Sequence, residues 1–381
     1  MKAVVWHGDE DVRVERVDDP RMEEATDAII RITSTAICGS DLHLYGAKTP
    51  GMKEGDILGH EAMGIVEEVG PEVRQITSGD RVVVPFNISC GACWMCERGW
   101  YSQCEQTQNR EFNKGASLFG YTHMYGGVPG GQAEYLRVPM AHFGPIQVPE
   151  DGPDERYLFL SDVLPTAWQA VVYADVPDPV RTVAVFGLGP IGQMCGRVAL
   201  HLGAERVIGL DIVAERLEMA RRHGVEAHDA SEMDVADDLR ELTGGRGPDA
   251  VIDAVGMESE GNWFARAAQF LKAKPDRHRA LHDSIWSVRR GGTLSISGVY
   301  GGPDPMWPLG ELFDRQVTLR MGQANVRRWT DDILPLLTEQ DPLGVLDLTT
   351  HRVPLDEAPR MYELFRDKGD GCIKVVLDPA A

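Results

Sequence analysis

The chain has 381 residues, 43% of them hydrophobic, and carries 38 basic against 59 acidic side chains for a net charge of −21. A chain of this length can bury large cores without disulfide bonds and is expected to form two or three domains. The negative charge repels phosphate backbones and anionic lipid surfaces, so no nucleic-acid or membrane partner is expected. The N-terminal segment lacks a signal peptide's apolar core, and no run approaches the ~18 apolar residues of a membrane helix, which favours a cytoplasmic protein.

Residues 1–150 are dominated by short β-like runs separated by glycine-containing turns. The runs are "AVVW", "DAIIRITSTAI", "AMGIVEEVG", "SGDRVVVPF" and "GGQAEYLRVP". Apolar, β-branched segments bounded by turn residues are typical of strands. This part of the chain is therefore predicted to form a β-barrel-like domain.

From Thr182 onward, strand-like and helix-like segments alternate. The strands are "TVAVFG", "RVIGLD", "DAVIDAVG", "GGTLSISGV" and "VTLRMG", with a helix from Gly192 and another that reaches His223. Such alternation predicts a doubly wound parallel sheet with helices on both faces. The tail ends in "CIKVVLDP", a strand predicted to return to the first domain. We expect domains at 1–165 and 166–321, with 322–381 returning to the first.

The first strong motif follows the strand "TVAVFG". Gly187, Gly189 and Gly192 form G-x-G-x-x-G at the start of a helix, where the glycines permit a tight turn, close approach of a pyrophosphate and close helix–strand packing. Asp211 ends the next strand and can accept hydrogen bonds from both ribose hydroxyls while repelling a 2′-phosphate, which favours NAD over NADP. Arg216 is either a solvated helix charge or a neighbour of the adenosine ribose.

Two further groups of residues have metal-ligand chemistry. Cys90, Cys93, Cys96 and Cys104 are closely spaced, and in a cytoplasmic protein such thiols bind metal more often than they form disulfides. "CGSDLH" supplies Cys38, Ser40, Asp41 and His43, and "GHEAMG" supplies His60 and Glu61. A thiolate and an imidazole are donors that zinc favours. An open zinc site beside a nicotinamide would make a hydride-transfer enzyme.

The motifs together resemble the zinc-containing medium-chain dehydrogenase/reductase superfamily over essentially the whole chain. The matching segments include "CGSDLH", "GHEAMGIVEEVG", "CGACWMCERGWYSQC", "GGQAEYLRVP" and "VFGLGPIG"; "LSDVLPTAWQA", "VIDAVGMESEG" and "GVYGGPDPMWPLG" are similar to its formaldehyde-dehydrogenase-like subgroup. The resemblance implies a GroES-like catalytic domain and a Rossmann coenzyme domain.

The resemblance also implies residue roles. Cys38, His60 and Asp162 match ligands of a catalytic zinc, and Ser40 and His43 match a relay that carries the substrate proton to solvent. Asp41 matches a partner of the zinc-bound imidazole, and Glu61 matches a carboxylate that can exchange with zinc-bound water. The resemblance further implies a closed structural zinc site in the lobe 88–106, formed by Cys90, Cys93, Cys96 and Cys104. It also implies that four residues lie near the nicotinamide: Thr166, Val255, Gly298 and Tyr300. Cys195 and Cys372 are expected to be structural thiols.

We therefore expect a homodimeric or homotetrameric oxidoreductase with NAD and two zinc ions per chain, acting on a primary alcohol or aldehyde hydrate such as that of formaldehyde. The alternatives are a polyol or secondary-alcohol dehydrogenase and an aldehyde dismutase with retained NAD. A zinc-free quinone reductase is a rival that would not need all these zinc ligands. A nonenzymatic nucleotide-binding protein is another, for which the proton-relay residues would have no use. The long segment 257–290, with an amphipathic helix around "WFARAAQFL", either covers the coenzyme or is a decorated crossover or oligomer contact.

Overall fold

The computed structural model describes residues 1–46, 49–176, 181–256, 279–300 and 307–381. They form two compact units, the first comprising Met1–Pro165 with Ala324–Ala381 and the second Thr166–Gln323. The first unit is therefore built from both ends of the chain.

The described part of the chain contains fifteen strands and ten α-helices. The strands are β1 (Lys2–Gly8), β2 (Asp11–Arg16), β3 (Ala28–Ile37), β4 (Glu61–Val69), β5 (Arg81–Val84), β6 (Tyr135–Val138), β7 (Ile146–Gln147), β8 (Thr182–Phe186), β9 (Arg206–Asp211), β10 (Glu226–Asp229), β11 (Ala250–Asp253), β12 (Thr293–Ile296), β13 (Thr318–Met321), β14 (His351–Pro354) and β15 (Val375–Asp378). The α-helices are α1 (Gly39–Tyr45), α2 (Glu155–Leu158), α3 (Val163–Tyr173), α4 (Pro190–His201), α5 (Ala214–Arg222), α6 (Val235–Leu242), α7 (Arg279–Ser287), α8 (Leu309–Asp314), α9 (Val326–Ile333) and α10 (Ala358–Arg366).

The first unit is a largely antiparallel β structure. β1 and β2 form a hairpin, and a larger sheet has the order β14-β15-β3-β4-β5-β7, with β6 also paired to β3. Apolar side chains that alternate along these strands bury a core, represented by Ile30, Ile32, Val66 and Leu136. β15 pairs antiparallel with β3, which confirms the predicted return of the C-terminal strand.

The second unit is a parallel sheet with the order β10-β9-β8-β11-β12-β13. Relative to chain order within the unit this is 3-2-1-4-5-6, the arrangement of a doubly wound dinucleotide-binding fold. The inner strands β11 and β12 are fully buried, for example "AVID" in β11, as expected where helices cover both faces. The predicted α/β fold class, a β-barrel-like domain with a doubly wound parallel-sheet domain, is confirmed.

Several sequence-based boundaries differ from the structure. β10 was not predicted, because its sequence "EAHD" is short and polar and carries no apolar pattern. α4 begins at Pro190 rather than Gly192, and Cys372 precedes β15 instead of lying within it. The helix predicted around "WFARAAQFL" lies outside the described residues. Among the helices that are described, none has both the length and the hydropathy that crossing a membrane requires.

Candidate active site

The start of helix α1 holds the "CGSDLH" motif. Cys38 occupies the N-cap position, directly after the buried end of β3, and its backbone N–H donates to the Asp41 carboxylate at 2.9 Å. An acidic side chain at the third helical position commonly accepts this N–H, so the spacing C-x-x-D itself favours helix initiation here. The cap fixes Asp41 beside the backbone of Cys38.

Two other chain segments bring their side chains to Cys38. His60 and Glu61 lie at the start of β4, and Asp162 lies between a 3-10 turn and α3. The Asp162 Oδ2 atom is 3.6 Å from Cys38 Sγ and 3.4 Å from His60 Nε2. One donor atom from each of Cys38, His60, Glu61 and Asp162 lies within 4.8 Å of the others, and all four residues are buried. The fold thus brings together residues up to 124 positions apart in the chain.

Two polar side chains from α1 approach the His60 ring. Asp41 Oδ1 lies 3.2 Å from His60 Nδ1, and Ser40 Oγ lies 3.2 Å from His60 Nε2. Asp41 can therefore fix the orientation of the ring and its tautomer. His43 lies three residues after Ser40 on the same helix, and its side chain is only 5% exposed.

Lys374, which was not predicted from the sequence, is the buried positive partner of Glu61. Lys374 Nζ is 2.5 Å from Glu61 Oε1 and donates to the Ile37 carbonyl at 3.1 Å, and both charged side chains are fully buried. The signal in the sequence was a single charge within the apolar run "CIKVV". A lysine in such a run needs a partner when the strand is buried.

Burial and the neighbouring carboxylates shift the acid–base properties of the ligand candidates. Burial raises the pKa of the Cys38 thiol. Burial also opposes protonation of His60, but Asp41 and Asp162 outweigh it and hold the pKa of the imidazole well above its usual range. A metal ion binds the deprotonated forms of both groups, so metal uptake here releases protons and strengthens as the pH rises.

The donor set fits zinc. A thiolate, an imidazole and a carboxylate are the ligand types that zinc uses, and three protein ligands leave one position of a tetrahedron for water or substrate. Cys38, His60 and Asp162 are the residues that would hold the ion, with Glu61 close enough to replace the exchangeable ligand.

The second cluster consists of Cys90, Cys93, Cys96 and Cys104, which are free thiols in the structure. The Sγ atoms of Cys90 and Cys96 are 4.0 Å apart, as are those of Cys93 and Cys104. These separations are close to the edge of about 3.8 Å expected for a tetrahedron with Zn–S bonds of about 2.3 Å. Backbone N–H groups of Cys90 and Glu105 point at sulfur atoms at 3.4 Å, an arrangement that stabilises thiolates. Hydrogen bonding from Cys96 lowers the pKa of Cys104 to about 4.

The glycine motif lies at the carboxyl end of β8 in the second unit. Gly187 has φ +81°, and a Cβ on Gly192 would lie 1.7 Å from the Gly187 carbonyl oxygen, so the chain itself requires both glycines. Gly189 is the N-cap of α4, and a Cβ there would meet nothing closer than Arg216 at 3.7 Å. The space over Gly189 at a helix N-terminus suits a pyrophosphate.

Asp211 anchors this loop to the end of β9. Its carboxylate accepts the backbone N–H groups of Leu188 at 2.6 Å, Ile212 at 2.7 Å and Val213 at 3.0 Å. Arg216 Nη1 is 3.7 Å from the same carboxylate. Arg216 is 5% exposed, so the interpretation of this residue as a solvated helix charge was wrong. A carboxylate has about four acceptor sites, which leaves capacity for a ribose hydroxyl.

The residues predicted near the nicotinamide lie in the second unit. Val255 follows β11, which pairs with β8, and Gly298 follows β12, which pairs with β11. Thr166 lies on α3. A buried residue that the sequence analysis missed, Asp253, joins the two strand ends. It accepts the Tyr300 hydroxyl at 2.5 Å and the Val255 N–H at 2.9 Å.

Known alcohol dehydrogenases are similar to this chain. The family model of the alcohol dehydrogenase GroES-like domain matches residues 24–149, and that of the zinc-binding dehydrogenase matches residues 190–274. An uncharacterised zinc-type alcohol dehydrogenase-like protein of Bacillus subtilis (strain 168) is 42% identical to this chain over 386 residues. The alignment covers 100% of each of the two chains. Formaldehyde dismutase of Pseudomonas putida is 32% identical over 404 residues, covering 99% of this chain and 97% of its own.

A solved structure, the alcohol dehydrogenase TADH from Thermus sp. ATN1, superposes with a TM-score of 0.83 at 36% identity and 99% coverage of each chain. Identity above 30% over complete chains, together with two buried clusters of zinc-type ligands and a dinucleotide-binding sheet, establishes the family. The chain belongs to the zinc-containing medium-chain dehydrogenase/reductase superfamily and is an oxidoreductase of the zinc-type alcohol dehydrogenase kind.

Proposed function

We propose that this chain is an NAD-linked dehydrogenase of a small primary alcohol or an aldehyde hydrate, with one catalytic and one structural zinc ion. The observation that carries the proposal is the buried cluster of Cys38, His60 and Asp162, with Ser40 Oγ 3.2 Å from the His60 ring. Three ligands of this kind leave zinc one open position, as catalytic sites require.

Zinc held by these residues would lower the pKa of an alcohol, and the nicotinamide would accept its hydride. Ser40 then takes the proton of the alcohol and passes it to His43, which lies one helical turn further along α1. Asp41 keeps the His60 ring oriented throughout. The burial of the cluster excludes bulk water from the reacting atoms.

The preference for NAD rests on Asp211. Its carboxylate closes the end of β9 beside the glycine loop, where a 2′-phosphate would meet a negative charge. Arg216 lies close to that carboxylate and offsets part of its charge, so we expect a preference for NAD over NADP rather than complete exclusion of NADP.

Two observations support the proposal that the substrate is small: the carboxylate among the zinc ligands and the name of a relative. Asp162 donates less electron density than a thiolate would, which makes a zinc ion more Lewis-acidic and suits small alcohols and aldehyde hydrates. A relative whose name is formaldehyde dismutase covers 99% of this chain. Dismutation with retained NAD is therefore the second candidate function.

One preparation of the purified chain tests the proposal. Elemental analysis should give two zinc ions per chain, and NAD should be reduced with formaldehyde or short primary alcohols faster than with polyols. An active enzyme with fewer than two zinc ions, or one with equal rates for NAD and NADP, would contradict it. Formation of alcohol and acid from an aldehyde without added NAD would favour the dismutase.

Ser40→Ala separates the proton relay from metal binding. The substitution removes one hydroxyl beside His60, so zinc content and melting temperature should stay unchanged while alcohol oxidation slows by about 100-fold. The slowing should be most severe at low pH, where a proton leaves least readily. Full turnover by this variant across the pH range would remove Ser40 from the mechanism.

A further inference from the structure

The segment "GGQAEYLRVP" contains a glutamine that the proposed mechanism does not use. Gln132 precedes β6 and is fully buried. Its backbone is held on both sides: its N–H donates to the Leu58 carbonyl at 3.0 Å, and its carbonyl accepts the Val4 N–H at 2.8 Å. The position of its side chain is therefore fixed by strand-like backbone pairing.

The side-chain amide of Gln132 joins three separate segments. Its Nε2 donates to the Ala36 carbonyl at 3.1 Å and to Asp41 Oδ2 at 3.3 Å. Its Oε1 accepts the hydroxyl of Tyr362, on α10, at 2.8 Å. A carbonyl and a carboxylate only accept, so the NH2 group has to face them and the amide has one orientation. Gln132, Asp41 and Tyr362 all have 0% exposure.

Gln132 also packs against the residue that precedes His60. Gly59 has φ +99°, and a Cβ on it would lie 2.4 Å from the Cγ atom of Gln132 and 2.6 Å from its backbone nitrogen. The glycine therefore lets the His60 segment lie directly on Gln132. The same side chain thus touches the strand two residues before Cys38, the carboxylate beside His60 and the backbone before His60.

We propose that Gln132 is a positioning residue for the catalytic zinc ligands, and that Tyr362 fixes its amide. The two NH2 donors hold Asp41 and the end of β3 in register, and Asp41 in turn orients His60 and accepts the Cys38 N–H. The inference rests on the proposed function to the extent that Cys38, His60 and Asp162 bind zinc.

The energetic reason is that Asp41 is a fully buried carboxylate. Its Oδ2 accepts from Cys38 N at 2.9 Å and from Gln132, and its Oδ1 lies beside His60. Removal of one donor leaves a buried lone pair unsatisfied, which costs about 1–3 kcal/mol or is relieved by movement of the carboxylate. Movement of Asp41 misorients the imidazole, and loss of such outer partners weakens metal binding about 10–100-fold.

Zinc release to an excess of a metallochromic chelator tests the proposal in the purified full chain. Gln132→Met keeps the length and volume of the side chain but removes its hydrogen bonds. We expect zinc bound at Cys38, His60 and Asp162 to leave about tenfold faster in this variant. The zinc bound by Cys90, Cys93, Cys96 and Cys104 should leave at the rate of the unmodified chain, and it serves as an internal reference.

Two further variants keep the result interpretable. Tyr362→Phe removes only the hydroxyl that donates to Oε1 and should speed zinc release from the same site by a smaller factor, about two- to fivefold. If Gln132→Met does not fold, this variant tests the positioning role.

Gln169→Met is the matched control, because Gln169 is also buried, at 2% exposure, and donates to the carbonyls of Gly322 and Gln323 in the second unit. It should alter neither zinc rate.

The outcomes separate the two levels of the argument. If Cys38→Ser leaves the zinc content of the chain unchanged, the proposed catalytic zinc site itself is wrong. If Cys38→Ser removes one zinc ion but Gln132→Met and Tyr362→Phe release zinc at the unmodified rate, only the positioning role is wrong. Equally faster zinc release from both sites would also overturn the positioning role, because a general loss of stability would have the same effect.

Discussion

Lys374 and Glu61 form an ion pair that has no exposed surface, with 2.5 Å between Nζ and Oε1. Glu61 belongs to the ligand cluster, to which Asp162 adds a second carboxylate, and Asp41 lies beside His60. Moving charges out of water is costly, and such a pair persists only because each member compensates the other. Lys374 therefore acts as the buried counter-charge of the candidate active site.

Lys374→Met should destabilise the protein strongly. It leaves the Glu61 carboxylate buried without its cation, and breaking a buried pair in this way costs about 3–5 kcal/mol. The urea midpoint of unfolding is the measurement, and a second substitution, Glu61→Gln, should recover part of the loss. Lys2→Met is the control, because the side chains of Lys2 and Asp356 are 35% and 57% exposed. Comparable losses from Lys374→Met and Lys2→Met would contradict the argument.

Among the structural elements, the four-cysteine lobe and the ligand cluster at α1 differ in how far the local fold depends on a bound metal ion. The lobe consists of short turns and 3-10 segments, and its buried core is little more than Cys90, Cys96, Cys104 and Ala116. A metal ion bound there contributes directly to local folding. The cluster at Cys38, by contrast, lies on a large sheet whose core is apolar.

Cys93→Ser and Asp162→Asn should therefore fail in different ways. Cys93→Ser should release the structural zinc, open the lobe to proteolysis and lower the melting temperature. Asp162→Asn keeps the size of a ligand and removes its charge, so zinc should bind more weakly and turnover should fall with little change in melting temperature. Zinc content, proteolysis and calorimetry on both variants are the measurements. Equal unfolding of the two would mean that the sites do not divide structure from catalysis.

The edge of the parallel sheet carries a smaller electrostatic contribution. Arg206 opens β9 and Glu226 opens β10, and the two side chains make paired hydrogen bonds of 2.7 and 2.8 Å. The hydrogen bond from Arg206 lowers the pKa of Glu226 from 4.5 to about 2. A carboxyl group whose pKa is lowered by folding adds stability that is complete above the unfolded value and is lost as the pH falls toward the folded one.

Glu226→Gln should lower the stability at neutral pH by at most about 1 kcal/mol, because the two side chains are 35% and 39% exposed and solvent screens the pair. The difference from the unmodified chain should shrink as the pH falls from 4.5 toward about 2. Melting temperatures over this pH range are the measurement. Glu218→Gln is the control, since Glu218 lies 3.8 Å from Arg222 on an exposed helix face. A difference independent of pH would refute the linkage.

At the scale of the whole molecule, the two ends of the chain share one unit. β15 lies between β14 and β3, so the last residues complete a sheet begun near the N-terminus. The same segment carries Lys374 to Glu61, and α10 carries Tyr362 to Gln132. The candidate active site thus depends on residues that follow the second unit in the chain.

Removal of residues 372–381 should abolish the first unit as a folded body, because it deletes β15, which pairs with strands on both sides, together with the counter-charge of Glu61. The second unit contains its own sheet and should resist proteolysis longer. Limited proteolysis with mass spectrometry is the measurement. Removal of Ala380 and Ala381 alone, which are exposed, should have no effect. A stable, zinc-replete product from the longer deletion would contradict this account.

Local patterns in the sequence predicted the fold class, the glycine motif and the group of four closely spaced thiols, whereas Asp162 was predicted as a ligand only through the family resemblance. Periodicity predicts strands and helices, G-x-G-x-x-G requires small residues at fixed spacing, and cysteines separated by only two residues are close in any local fold. Short polar β10 escaped prediction because a strand of four residues in "EAHD" is specified by its neighbours in the sheet.

Only the tertiary structure decided which distant residues meet. Lys374 and Glu61 are 313 positions apart, and Tyr362 and Gln132 are 230 apart; no local pattern encodes such pairs. These pairs form because the four side chains are buried. Once the sheet excludes water, each buried charge or amide needs a complementary group within hydrogen-bond distance. Local patterns therefore predicted most of the candidate ligands, whereas the folded chain supplied the counter-charge of Glu61 and the hydrogen-bond partners of Asp41, since desolvation acts only when the core has formed.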